Sequence, residues 1–384
     1  MTVHIGIIDQ DPVRLITPLL DESVAGNHMV FIGDASQFEL FKRFHDILAV
    51  RSITSEFYEI PSVVNTSVIK QSIQDLATAL TDRFTTLNFN ASCGLRHRLL
   101  SAYEVFRSHR LPIFVVEPNS DKLCWLYPDG LSQQHVADNI QLSDYLAIFG
   151  ARCEFSEEQE LNEKLNIQLQ DLCQRWASNA LELGPGLATL NYLATTCRKE
   201  QKLAIELTEK QQGYREVNML LNDLVDTGLA TYANGLLTFD CEEARRFANG
   251  EWLENLVHNT VKDIQNRLPT LQDHSLNVQV YRKIGEKDVR NELDVASVVN
   301  NKLYIIECKT KGMRDDGDDT LYKLESLRDL LGGLQARAML VSFRPLRNND
   351  LVRAKDLGLA IIGPDELKNL NQYLFEWFQA AGGQ

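Results

Sequence analysis

The segment Glu292-Leu293-Asp294-Val295 is followed, across the pair Asn300-Asn301, by Ile305-Ile306-Glu307-Cys308-Lys309. Both stretches are apolar around their charges, and Asn-Asn suits a turn, so they read as two strands, 292–300 and 302–310, folded on each other. At that spacing Asp294 and Glu307 face the same end of a sheet. Two carboxylates there can hold a hard divalent cation, Mg2+ or Mn2+, with waters completing the shell. Side chains alternate along a strand, so Glu307 and Lys309 share a face. Cys308 then points to the core and offers a cation only its backbone carbonyl. Lys309 is placed to orient or deprotonate an attacking water, or to neutralise charge developing on phosphorus. Upstream, a helix over 252–264 carries Glu254 as a third carboxylate, with Glu251 as competitor, and Glu292 adds one more acid nearby. Glu254, Asp294, Glu307 and Lys309 are therefore the catalytic candidates. Asp294, Glu307 and Cys308 are the metal-ligand candidates.

A second group of residues suits an anionic ligand. The apolar run 85–89 ends in Asn90-Ala91-Ser92-Cys93-Gly94-Leu95-Arg96, a strand-to-helix turn. Ser92 is the expected N-cap, and Gly94 lets the backbone approach a ligand closely. The helix N-terminus beside Arg96 is a site for a phosphate.

The elements that must position these groups fall into three stretches. Residues 1–150 alternate short apolar runs with helices of 10–15 residues, which predicts an open, mainly parallel sheet covered on both faces. Residues 151–249 lose that alternation. They read as helices followed by a hairpin over 229–239 with Asn234-Gly235 at its turn, a winged-helix-like pattern. Its candidate recognition helix carries Glu216, Asp223 and Asp226, which suits DNA phosphates poorly. Residues 250–384 return to mixed α/β. The run Asp315-Asp316-Gly317-Asp318-Asp319 reads as a solvated loop.

Composition narrows the classes further. The 384 residues are 44% hydrophobic and 24% charged, the balance of a globular chain long enough for two or three domains. No run of 18 apolar residues occurs, so no membrane partner is expected, and the first residues read as a buried strand rather than a secretion signal. Seven cysteines without a CxxC pair point to a reducing cytoplasm. The net charge of −14 disfavours nucleic acid at first sight, but its distribution does not: residues 251–384 hold 18 Lys and Arg against 20 Asp and Glu, and the first 250 hold 21 against 33. Neither GxGxxG nor a Walker A sequence is present, which argues against dinucleotide binding and ATP hydrolysis.

Asp294, twelve intervening residues, then Glu307-Cys308-Lys309, with an acid on the preceding helix, resembles the PD-(D/E)xK restriction-endonuclease-like fold. Leu293 stands where that family often has Pro. The turn at Asn90 is similar to the N-x-T-G-G-T-K signature of CARF domains, with Ser92 for Thr, Gly94 kept, Leu95 for the second Thr and Arg96 for Lys. Together the two motifs resemble the Card/Can-type CRISPR ancillary nuclease family over nearly the whole chain. The resemblance implies a Rossmann-like CARF sensor (1–150), a helical winged-helix-like linker (151–249) and a PD-(D/E)xK nuclease domain (250–384). It further implies a homodimer that binds cyclic oligoadenylate, cyclic tetra-adenylate foremost, through Gln10, Asp11, Asn90, Ser92, Gly94, Leu95 and Arg96. Binding would activate metal-dependent cleavage of DNA or RNA. Two other readings stand beside this one: a nucleotide-sensing winged-helix regulator without catalysis, and a repair-type nuclease indifferent to any ligand.

Overall fold

The computed structural model describes residues 2–9, 12–24, 26–155, 163–310 and 317–380. The first sheet is built from β1 (Thr2–Ile7), β2 (His28–Gly33), β3 (Thr54–Glu59), β4 (Thr86–Asn90), β5 (Ile113–Glu117), β6 (Lys122–Tyr127) and β7 (Gln134–His135). Its order is β3-β2-β1-β4-β5-β6-β7. The first five strands are parallel, and β6 and β7 return antiparallel. β2 is buried along its whole length and β1 and β4 along all but their first residue, as expected of a sheet covered on both faces. Helix Phe38–Val50 covers one face through Phe44, Ile47 and Leu48. Helices Thr66–Arg83 and Arg96–Ser108 cover the other through Ile69, Ile73, Leu76, Ala102 and Phe106.

The stretch 151–249 begins with β8 (Ala151–Glu154), which pairs with the C-terminal sheet rather than with its own neighbours. The helices Glu163–Ser178, Ala180–Glu200 and Arg215–Asp226 follow. The hairpin forms as read, from β10 (Ala230–Ala233) and β11 (Leu236–Phe239), with left-handed Asn234 and Gly235 at its turn. A third strand, β9 (Ala204–Glu206), completes this wing. Three residues with no alternation of their own gave it no sequence signature.

The C-terminal sheet runs β16-β15-β14-β13-β12-β8, from β12 (Leu271–Ile284), β13 (Lys287–Val299), β14 (Lys302–Lys309), β15 (Arg337–Ser342) and β16 (Ala360–Ile362). β12 and β13 extend well beyond the apolar segments 276–284 and 292–300. The added end of β13, Lys287–Arg290, is exposed and mostly polar, so the ladder there is held by backbone pairing, which composition does not betray. Asp315 and Asp316 lie outside the described residues, and from Gly317 the chain is helical to Gly332. The seven cysteines are free thiols. No described helix is long and apolar enough to cross a membrane.

This sheet has two differently partnered faces. One core joins Val295, Tyr304, Ile306 and Cys308 to the helix Trp252–Gln265 and on to Leu187, Leu190 and Leu220 of the middle stretch. The other joins Leu293, Ala296, Leu303 and Ile305 to Leu142, Tyr145, Phe44 and Leu48 of the first.

Candidate active site

Asn300 and Asn301 adopt left-handed φ values of 51° and 54°, closing a two-residue turn between β13 and β14. Register pairing of Val295 with Ile306 then places Asp294 beside Glu307 at the far end of the hairpin. Asp294 Oδ2 accepts a hydrogen bond from the Cys308 N–H at 2.7 Å. Lys309 Nζ stands 2.6 Å from Glu307 Oε1. The Cys308 side chain is buried in the core, as strand alternation requires.

The fourth group arrives on the helix Trp252–Gln265. It is preceded by a π-turn, Phe247–Glu251, in which Gly250 has φ 128°. A methyl group at residue 250 would lie 2.4 Å from Thr310 Oγ1, so only glycine lets this turn press against the residue following Lys309. Such turns recur at functional sites. Glu251 is taken by Arg246, whose Nε lies 3.0 Å from its Oε1. Glu254 has no cation partner among the described residues. That difference favours Glu254 over Glu251 as the supporting acid.

The electrostatics follow from crowding. Burial pushes the Glu254 carboxyl far up, and Asp294, Glu251, Glu292 and Glu307 push it further. Burial also raises Asp294, with Glu307 adding to it, while the Cys308 N–H and Lys309 pull back. Burial works against the Lys309 ammonium, but Glu307 and Asp294 outweigh it and hold the proton on more firmly than usual. Lys309 is thus a fixed cation, suited to orienting water and offsetting phosphate charge rather than to taking a proton. One ammonium faces several buried carboxylates, all hard oxygen donors, which fits a hard divalent cation. Among the described residues, no three or more His, Cys, Asp or Glu groups are drawn together as a metal-holding set. A cation held by two carboxylates would complete its shell from water and backbone, as Mg2+ commonly does.

The Asn90 turn is built differently from its reading. Asn90 is fully buried, donates from Nδ2 to the Arg14 carbonyl at 2.7 Å, and accepts at Oδ1 from Ser92 N (3.0 Å) and Ser92 Oγ (2.5 Å). Ser92 Oγ in turn accepts from Val116 N at 2.8 Å. Ser92 is therefore not the N-cap. That position is Leu95, with no side-chain cap, because the Ser92 hydroxyl ties the turn to β5. Gly94, at φ 126°, leaves no room for a side chain, since a methyl there would lie 3.0 Å from Ile7, and it donates its N–H to Asp9 Oδ2 at 3.2 Å. Leu95 and Arg96 are exposed at the helix start. Gln10 and Asp11 lie outside the described residues. Sequence reasoning missed a buried ion pair at this end of the sheet, Arg98 Nη2 to Asp34 Oδ2 at 2.6 Å, with Arg98 Nη1 also donating to Gln37 Oε1 at 3.2 Å. Asp34 directly after a buried strand and an Arg on the facing helix were its only signals.

Residues 241–381 match the Card1-like endonuclease domain family. The chain is 68% identical to protein VC1899 from Vibrio cholerae, whose crystal structure it matches with a TM-score of 0.96 over 100% of this chain and 99% of that one. The chain belongs to the Card1-like endonucleases. It also shares its fold with Can2 from Sulfobacillus thermosulfidooxidans, solved in complex with cyclic tetra-adenylate, at 20% identity and a TM-score of 0.78 over 98% of this chain and 99% of Can2. A type III CRISPR defence DNA nuclease activated by cyclic oligoadenylate matches at 13% identity and a TM-score of 0.57, over 96% of this chain and 51% of that one. No curated protein is similar to this chain. The chain thus shares with Can2 the mixed α/β fold that its motifs implied: a mainly parallel sheet, a helical stretch with a small hairpin sheet, and a second, mixed sheet.

Proposed function

We propose that this protein is a metal-dependent endonuclease, cleaving DNA or RNA, that cyclic oligoadenylate switches on in cytoplasmic antiviral defence of the CRISPR type. The observation that carries the reading is the meeting of Asp294, Glu307 and Lys309 at one end of the β13–β14 hairpin, with Glu254 against them. Asp294 and Glu307 would hold Mg2+ or Mn2+, helped by the Cys308 carbonyl. Such a cation supplies Lewis acidity at a phosphoryl oxygen. Lys309, kept charged by Glu307, orients the attacking water and offsets charge on the scissile phosphate. Glu254 supports the set from the helix.

Residues 1–150 act as sensor, 151–249 as linking module and 250–384 as nuclease. The Can2 complex makes cyclic tetra-adenylate the first ligand to test. A two-fold ligand suits a homodimer, with the Asn90–Arg96 turn of each protomer facing it and Gln10 and Asp11 as further candidate contacts.

The test is to incubate the protein with Mn2+, labelled DNA and RNA, and cyclic oligoadenylates of several ring sizes, singly and combined. Cleavage is expected only when metal and cyclic tetra-adenylate are both present. Equal cleavage without oligoadenylate would remove the sensor from the proposal, and no cleavage under any combination would remove the nuclease.

A further inference from the structure

Helix Ala180–Glu200 presents an apolar face of Leu183, Leu187, Leu190 and Ala194 to the core it shares with the nuclease sheet. One residue on that face breaks the pattern. Asn191 is 5% exposed, a side chain whose burial without partners would be destabilising. Its amide sits between two sets of carbonyls. On one side is Thr310 O, 3.4 Å from Nδ2. That bond has an alternative: with the amide turned half way round, Nδ2 donates instead to Ala248 O and Asn249 O, at 3.0 and 3.2 Å, and this orientation takes the amide oxygen away from those two carbonyls. Thr310 directly follows Lys309 at the end of β14, and Ala248 and Asn249 belong to the π-turn that aims Glu254. One turn along the same helix, Thr195 Oγ1 donates to Asn249 Oδ1 at 2.8 Å.

We propose that Asn191 is a positioning residue for phosphodiester cleavage. By donating to the π-turn carbonyls, beside the Thr195 hydroxyl, it makes the winged-helix-like module the strut that sets the Glu254 helix against β14. This rests on the endonuclease reading above. It also gives the module a task other than reading DNA. Its candidate recognition helix has Asp223 engaged inward by Trp176 Nε1 at 2.8 Å and by Arg175 at 3.0 Å. Gly250 of that turn is itself pressed against Thr310, so a shift of the turn is felt at the end of β14. A displacement near 1 Å is enough to lower turnover by about 10²-fold when it moves a catalytic group.

The experiment uses the full chain with Mn2+ and cyclic tetra-adenylate, comparing the parent with Asn191→Leu, which keeps the branched heavy-atom skeleton and removes the donor, and with Thr195→Val. We expect kcat for Asn191→Leu to fall by about tenfold or more, with KM within about twofold, and Thr195→Val to give a smaller loss of the same kind. Amide hydrogen exchange should quicken over 247–255 and stay unchanged in the sensor helices. Unchanged kcat in Asn191→Leu, or quickened exchange spread evenly through the protein, would overturn the proposal. If the parent cleaves nothing, the nuclease reading fails by itself. The exchange pattern then decides: quickening confined to 247–255 sustains the strut, and its absence removes it. Should Asn191→Leu not fold, Thr195→Val carries the same readouts.

Discussion

Replacing Asp294 by Asn tests the crowded carboxylates directly. Asn is nearly isosteric and keeps an acceptor for the Cys308 N–H, so the hairpin has no reason to move. What disappears is one buried negative charge facing Glu307 and Glu254. Burial and Glu307 raise the folded-state pKa of Asp294 above that of the unfolded chain, so the folded protein holds this proton more tightly. Raised carboxylates of this kind destabilise as pH climbs through the folded pKa, and they have no effect where both states are protonated. Without metal, Asp294→Asn should therefore melt higher than the parent at about pH 8, and the two should converge towards about pH 4. Relieving an uncompensated buried carboxylate is worth about 1–3 kcal/mol, a gain that the ammonium of Lys309 already limits. With Mn2+ at about 100 times its dissociation constant, the parent gains about 2.7 kcal/mol from binding and the variant loses most of that gain, so the order of melting reverses. Cleavage should fall by about 10²-fold or more, the scale on which one charge-stabilising group at a reacting centre acts. Thermal melts in EDTA and in Mn2+ at both pH values, paired with a cleavage assay, check this. A variant that melts below the parent in EDTA at the higher pH, or that cleaves as fast as the parent, refutes the reasoning.

Three further outcomes follow from single contacts. Gly250→Ala puts a methyl 2.4 Å from Thr310 Oγ1 at a φ of 128°, and the combined overpacking and backbone strain should destabilise by about 2–4 kcal/mol. Adding Thr310→Ala leaves no atom nearer than 3.4 Å and should restore part of both the melting temperature and kcat; no restoration would place the strain elsewhere. Asp121, pushed up to about 6 mainly by burial although Asn301 donates to it, should make the parent lose stability as pH rises from about 4 through 6. Asp121→Asn should remove that loss, gaining up to about 3 kcal/mol at about pH 8 and nothing at about pH 4, and a pH-independent difference in melting would contradict it. Arg96→Ala, at the exposed start of its helix, should weaken cyclic tetra-adenylate binding by about tenfold or more, and unchanged affinity by calorimetry would take Arg96 out of the ligand site.

Residues whose partners lie close in sequence were the ones a reader of the sequence could place. Asp294, Glu307 and Lys309 meet because a two-residue turn fixes the register between them, and both the turn and the alternation are written locally. The position of Cys308 in the core follows from the same alternation. Ser92 misled because cap preference is a local statistic, and its hydroxyl found Val116, 24 residues on. The ion pair of Arg98 and Asp34 spans 64 positions, and Asn191 reaches Thr310 across 119. Nothing in a single sequence links such pairs. A polar residue interrupting an apolar helix face was the one visible sign of Asn191, and Gly250 just ahead of two acids the one sign of the π-turn.

The long-range contact at Asn191 belongs to a wider arrangement around the hairpin. The β13–β14 hairpin is a middle layer, with one face packed on the stretch 151–249 and the other on the N-terminal domain. At its closed end, Asn301 Nδ2 donates to Asp121 Oδ2 at 2.6 Å and Lys302 Nζ to the Asn119 carbonyl at 2.6 Å, so the sensor grips the turn. At its open end, Thr310 meets Gly250 and Asn191. The two strands that carry Asp294 and Glu307 are therefore held at one end by the domain that would bind the activator and at the other by the strut that aims Glu254. A hairpin so clamped has few ways to move alone. Any shift of the sensor against the nuclease sheet must either displace the carboxylates with the turn or break the contacts at Asn301 and Lys302.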